Sequence, residues 1–168
     1  MVGSAASLGA RLWCPAEVVG AERTANGYQL RLQTTTGEQL IDCLVLVNCA
    51  GPWINRAAAR IAPMPPSLTV DLVQGAHLVL AEPVVDHCYY LEAPSDGRAV
   101  FLLPWRDGSL LGTTETLFTG DPDAVAPPPE EEAYLLAVLH HYFPAATPVV
   151  GARLAGLRVL PRSGQRKR

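Results

Sequence analysis

Leu46-Val47-Asn48-Cys49-Ala50-Gly51-Pro52-Trp53 is the stretch where an apolar run ends in a sharp turn and a helix is expected to begin. The small residues Cys49, Ala50 and Gly51 let the backbone pass close to a neighbour. Pro52 suits the first position of a helix, where its missing N–H would go unpaired in any case. Just upstream, Cys43-Leu44-Val45-Leu46-Val47-Asn48 is apolar without alternation, the pattern of a strand covered on both faces in a parallel or mixed sheet. Just downstream, Trp53, Ile54, Ala57, Ala58 and Ile61 recur at helical spacing as far as Pro63-Met64-Pro65-Pro66. The expectation is a buried strand, a tight turn and a helix.

Further towards the N-terminus, Tyr28-Gln29-Leu30-Arg31-Leu32-Gln33 alternates strictly between apolar and polar, so that one face is buried and the other wet. Asn26-Gly27 and Thr36-Gly37-Glu38 bracket it as reversals, since Asn and Gly tolerate positive φ. A three-stranded meander follows. Beyond Pro66 the character changes. Strands are expected over 70–80, 88–92, 99–103 and 109–113, with Asp96-Gly97 and Asp107-Gly108 as hairpin turns, which makes a mostly antiparallel sheet. Pro127-Pro128-Pro129-Glu130-Glu131-Glu132 leads into a helix whose acidic first turn complements the helix dipole. Tyr134, Leu135, Val138, Leu139 and Tyr142 form its stripe, and residues 152–160 return as a strand. The fold class is α+β, with a helix covering the second sheet.

The 168 residues are 49% hydrophobic and only 17% charged, which describes a globular chain with a real core rather than a disordered one. A net charge of −3 gives no footprint for nucleic acid, which needs clustered Lys and Arg on one face. The basic residues Arg162, Arg166, Lys167 and Arg168 read as a solvated terminus. Cys14, Cys43, Cys49 and Cys88 show no C-x-x-C pairing and no partnering His at zinc spacing, so no metal is expected and the cysteines read as buried thiols in a reducing compartment. No apolar run reaches the roughly 18 to 20 residues of a membrane helix. The reading is cytoplasmic, with contact at the inner face of the membrane left open.

Six motifs in order carry a resemblance. Leu46-Val47-Asn48-Cys49-Ala50-Gly51-Pro52-Trp53, Gly75-Ala76-His77-Leu78-Val79-Leu80, Phe101-Leu102-Leu103-Pro104-Trp105, Leu111-Gly112-Thr113-Thr114-Glu115-Thr116, Thr119-Gly120-Asp121-Pro122-Asp123-Ala124-Val125 and Leu154-Ala155-Gly156-Leu157-Arg158 resemble the FAD-dependent glycerol-3-phosphate dehydrogenases of the D-amino-acid-oxidase-like flavoprotein group. The first motif is shared across the wider oxidase group, whereas the G-T-T-x-T, T-G-D-P-x-A-V and P-W elements are particular to the glycerophosphate branch. The resemblance divides the chain into a partial FAD-binding domain over 1–66, a substrate-binding domain over 67–160 and a disordered basic tail over 161–168.

The activity this implies is oxidation of sn-glycerol 3-phosphate to dihydroxyacetone phosphate, with hydride passing to FAD and electrons going on to quinone or oxygen. His77 matches the family's histidine near the substrate, and a pKa near 6.5 suits a general base or a hydrogen-bond partner for the hydroxyl. On residue type alone, a lone His in an apolar strand is a core histidine. Arg158 matches an arginine whose planar guanidinium binds substrate oxygens; otherwise it is a solvated strand-end cation. Ala50 and Gly51 match the turn where the backbone approaches FAD, and Val18 matches a strand position touching the adenine end through its backbone. Packing accounts equally well for Val18. Thr113, Thr114 and Glu115 are as well explained by a strand end as by chemistry.

The chain departs from the family pattern in three ways. It carries no G-x-G-x-x-G near its start and no G-G-K-x-T-T after Arg158, and Val159 stands where the family has Pro. A fragment that is inactive by itself is therefore expected, whether a segment of a longer protein, a partial gene product or a decayed copy. Exposed apolar surface and a homodimer formed through it are expected with it. Two other readings stand beside the first: an amino-acid oxidase-like flavoprotein, and a non-catalytic remnant or interaction module.

Overall fold

The computed structural model describes residues 2–162, in two compact units, Met1–Leu68 and Thr69–Arg168.

The first unit opens with a short helix α1 (Val2–Ser7) and the meander β1 (Ala16–Thr24), β2 (Gly27–Thr34) and β3 (Gly37–Cys43), antiparallel throughout. The Asn26-Gly27 reversal is where expected. Gly27 has φ +140°, and a Cβ there would lie 2.1 Å from the Cys43 carbonyl oxygen, so only glycine fits. A bulge between Val18 and Gly20 breaks the β1–β2 register. Leu32 and Ala21 are the buried apolar side chains of this sheet.

Two expectations fail in this unit. The buried strand over Cys43–Asn48 is not formed: β3 ends at Cys43, and Leu44, Val45 and Val47 are 81%, 73% and 72% exposed. An apolar run of this kind becomes a buried strand only where a neighbouring strand pairs with it and other elements cover its faces, and among the described residues no strand pairs with it. The helix is also shorter than its spacing suggests. A 3₁₀ turn (Gly51–Trp53) leads into α2 (Ile54–Ala58), and Ile61 leaves the helix to form β4 (Ile61–Ala62). The reason is the free edge of β1, which takes β4 in parallel (Ala21 with Ile61, Glu22 with Ala62), while Ala21 N donates to the Arg60 carbonyl at 2.9 Å. The sheet order is β3-β2-β1-β4.

The second unit is an antiparallel sheet covered by one helix. Its strands are β5 (Val70–Leu80), β6 (Tyr89–Glu92), β7 (Ala99–Trp105), β8 (Gly108–Gly112), β9 (Thr116–Phe118) and β10 (Val150–Pro161), in the order β10-β5-β8-β7-β6, with β9 beside the first half of β5. The helix α3 (Pro129–Tyr142) starts with Pro129 at its first position and Glu130, Glu131 and Glu132 in its first turn, and ends with His140 and His141. Leu135, Val138 and Leu139 of α3 pack against Leu78, Leu80, Val100, Leu102 and Leu111 of the sheet. Each fully buried leucine contributes about 1.5–3 kcal/mol, which makes this layer the main source of the unit's stability. Tyr142, expected in the buried stripe, is instead exposed, and its hydroxyl donates to the Glu92 carbonyl at 2.8 Å.

Two smaller corrections concern the termini and the thiols. β10 continues through Pro161, and the Arg162 guanidinium holds the Asp71 carboxylate, so the ordered chain reaches beyond residue 160; the remainder of the expected basic tail, 163–168, lies outside the described residues. The cysteines are not buried. Cys14, Cys49 and Cys88 are exposed because they sit in connections, and Cys43 is half-buried because it shares the inward face of β3 with Ile41 only at the strand's last residue.

Candidate functional site

The face of the second sheet turned away from α3 carries the polar residues. Alternation along β5 puts Ala76, Leu78 and Leu80 toward the helix and Gly75, His77 and Val79 on the other side. Register does the rest. Leu154, His77, Gly112, Phe101 and Tyr90 stand opposite one another in one row across β10, β5, β8, β7 and β6, and Arg158 on β10 stands opposite Val73, on the same face as Gly75 and His77. Phe101 and Tyr90 meet edge to face at 5.5 Å between ring centres and are both exposed. His77 and Arg158, two matched residues 81 positions apart, are thereby brought onto one open surface.

Glycines make the room. The imidazole of His77 lies over Gly112, where a Cβ would be 2.3 Å from Cδ2. At Gly75 a Cβ would be 2.6 Å from Thr113 Oγ1 and 3.1 Å from Arg158 Nη2, so the guanidinium can reach across β5. Arg158 Nη2 donates to the Thr114 carbonyl at 3.1 Å, and its Nη1 is 3.9 Å from Glu115 Oε2. Burial lowers the pKa of His77 below the ordinary value of 6.5, and the Arg158 charge acts in the same direction. His77 is therefore neutral at physiological pH, able to accept a proton, beside a cation able to hold an oxyanion.

The first unit has a separate feature. An open cleft of about 380 Å³ is lined by Val18, Leu46, Asn48, Ala50 and Arg60 among others. Two matched residues, Val18 and Ala50, thus share one cleft, whereas Gly51 is outside its lining. Gly51 has φ +52° with no atom within 4 Å of where a Cβ would be, so the turn presents bare backbone to open space. Asn48 shapes the turn: its Nδ2 donates to the Ile54 carbonyl at 2.9 Å and its Oδ1 accepts from Ala50 N at 3.1 Å. Arg60 Nη1 donates to the Val18 carbonyl at 2.5 Å and its Nη2 pairs with Glu17 at 2.7 Å.

Asn48, Arg60 and Gly112 are site-shaping residues that residue type does not single out, and Thr114 is one for which a strand-end role and chemistry stand equal in the sequence. Asn48 and the Gly112–Thr114 run lay inside quoted motifs, which was a signal. Arg60 in an alanine-rich stretch looks like a solvated cation, and nothing in the sequence marks its reach to Val18.

Residues 1–166 match the model of the DAO family, described as FAD dependent oxidoreductase. The chain belongs to this FAD-dependent oxidoreductase family. Among its relatives, the D-erythritol 1-phosphate dehydrogenase of Brucella abortus is 32% identical over 142 residues, covering 83% of this chain and 28% of that protein. The glycerol-3-phosphate dehydrogenase of Pseudomonas aeruginosa is 32% identical over 125 residues, covering 73% of this chain and 24% of that protein. Among solved structures, the glycerol-3-phosphate dehydrogenase of Bacillus halodurans complexed with FAD superposes with a TM-score of 0.74 at 25% identity, over 86% of this chain and 31% of that one. The chain therefore spans less than a third of the length of each of these three proteins.

FAD is the cofactor of the DAO family, and the residues present fit part of it. A cleft near the lower end of the range of about 300–1,000 Å³ for small-molecule pockets, largely apolar and adjoining a glycine turn with positive φ, suits one ring system and a close backbone approach. Among the described residues no helix is long and apolar enough to cross a membrane, and no group of three or more His, Cys, Asp and Glu could hold a metal ion.

Proposed function

We propose that this chain carries the substrate-facing surface, and part of the flavin-facing surface, of an oxidoreductase that converts glycerol 3-phosphate to dihydroxyacetone phosphate. The first unit takes the flavin-binding part and the second the substrate part. The observation that carries the reading is the pairing of a neutral His77 with Arg158 on one open, glycine-floored sheet face. The names of the relatives support a phosphorylated polyol: glycerol 3-phosphate in the Pseudomonas protein and erythritol 1-phosphate in the Brucella one.

FAD, held at Val18, Ala50 and Gly51, would supply the acceptor for the hydride of the carbinol carbon. The imidazole of His77 takes the proton of the same hydroxyl on a ring nitrogen, so that loss of one hydride and one proton leaves the ketone. Arg158 holds a substrate oxygen as charge develops on it. Gly112 leaves the room that the His77 ring occupies, and Gly75 the room that the Arg158 guanidinium crosses, so the two side chains lie low on the face where substrate would meet them. Val18, Ala50 and Gly51 would hold the cofactor, through backbone groups at the cleft and at the turn. The exposed apolar side chains Leu44, Val45 and Val47 support the further proposals of a homodimer and of peripheral contact at the inner face of the membrane of the cytoplasm.

The test is a titration of the isotope-labelled chain followed through the His77 ring and Arg158 Nε–H resonances. Saturable shifts at both with glycerol 3-phosphate, and none with glycine, support the reading. Shifts with glycine alone would favour an amino-acid oxidase, and no shift with either would overturn the reading.

A further inference from the structure

We infer that Thr114 is the positioning residue that sets Arg158 against His77, using its side chain to grip β5 and its backbone carbonyl to grip the arginine. The inference rests on the reading of His77 and Arg158 as the substrate-facing pair. Thr114 follows β8 and is only 5% exposed. Its Oγ1 accepts from the backbone N–H of Ala76 at 2.8 Å, and its own N–H donates to the Ala76 carbonyl at 3.3 Å. It is thus fastened twice to the residue immediately before His77. Its carbonyl accepts from Arg158 Nη2 at 3.1 Å and from Thr113 Oγ1 at 3.0 Å.

The other anchor of Arg158 is weak by comparison. Glu115 Oε2 is 3.9 Å from Nη1, and both side chains are about half exposed, where solvent screens the pair. A bond to a buried, doubly fastened carbonyl is the firmer restraint, because the acceptor has no freedom to follow the guanidinium. The far side of the segment is tied as well: Arg98 Nη1 donates to the Glu115 carbonyl at 2.6 Å, and Asp96, which flanks Arg98, accepts from the Tyr134 hydroxyl of α3 at 3.0 Å. Residues 113–115 are therefore tied to β5 on one side and to the connection between β6 and β7 on the other. The arginine of β10 takes its place from that clamp. This gives the Thr-Thr element of the G-T-T-x-T motif a physical task that strand propensity alone does not.

The experiment is an NMR titration of His77 in the full chain and three variants. Arg158→Gln is expected to raise the pKa of His77, since it removes a neighbouring positive charge. Thr114→Val, similar in shape but without the acceptor, is expected to raise it in the same direction, and Thr114→Ser to keep it at the wild-type position. Thr114→Val titrating like the wild type would overturn the inference, as would Arg158→Gln having no effect. Should Thr114→Val not fold, the ¹⁵N order parameter of Arg158 Nε in the wild type decides: above about 0.6 supports a held guanidinium, below it contradicts one. Failure of the substrate reading appears separately, as a wild-type His77 that does not respond to glycerol 3-phosphate.

Discussion

The imidazole of His77 occupies the space that a side chain on Gly112 would need: a Cβ there would lie 2.3 Å from Cδ2 and 2.7 Å from Cγ of the ring. The two residues face each other directly across β5 and β8. Gly112→Ala must therefore move the ring or the strands. The expected cost is about 1–3 kcal/mol in denaturant unfolding, typical of overpacking, together with displaced His77 ring resonances. Unchanged His77 resonances in the alanine variant would show that the ring does not lie where the structure has it.

The low pKa of His77 has a consequence for stability. Burial first, and Arg158 second, hold the folded-state value below 6.5. The unfolded chain then takes up this proton at a higher pH than the folded chain. Stability contributed at neutral pH is lost as the pH falls below about 6.5, and the loss levels off below the folded-state value. Urea midpoints at about pH 7.5 and about pH 5.5 should differ more for the wild type than for His77→Gln. Equal differences in the two proteins would contradict the shift.

Asn48 holds the turn of the first unit by two side-chain bonds, one to the Ile54 carbonyl and one from Ala50 N. Asn48→Ala removes both, at an expected cost of about 1–2 kcal/mol. The sharper readout is hydrogen exchange at the Ala50 amide, which should accelerate in the variant. Exchange at the wild-type rate would mean that the turn is held by its backbone alone.

The two apolar regions should respond oppositely to truncation. Leu139 is fully buried between α3 and the sheet, and Leu139→Ala is expected to cost about 2–5 kcal/mol. Leu44, 81% exposed, should tolerate the same change within about 0.5 kcal/mol. A comparable loss at Leu44 would show that this run is covered in solution.

Legibility in the sequence followed physical range. β5 was readable to the residue, 70–80, because a long apolar strand bounded by Pro66 and Glu82-Pro83 leaves little freedom. The meander and the hairpins were readable because Asn-Gly and Asp-Gly turns are local signals, and α3 because prolines and acidic residues mark its start. The run at 43–48 carries a strand pattern without forming a strand because an apolar strand depends on partners that pattern cannot supply, and Ile61 departs from its helical spacing because the edge of β1 takes it. His77 and Arg158 are legible in the sequence only through the resemblance. Their meeting on one face depends on the antiparallel register of β5 and β10, which no local pattern encodes. The roles of Gly112 and Thr114 likewise appear only once β5 and β8 are paired.

The most direct measurement of the central claim is flavin reduction in a hybrid, in which this chain replaces the matching stretch of the Pseudomonas aeruginosa glycerol-3-phosphate dehydrogenase. Mixed anaerobically with glycerol 3-phosphate, the flavin-loaded hybrid should bleach, and His77→Ala should slow bleaching by about 10²–10⁴-fold, as loss of a general base does. A flavin-loaded hybrid that glycerol 3-phosphate leaves oxidised, or one whose rate is indifferent to His77, would contradict the account.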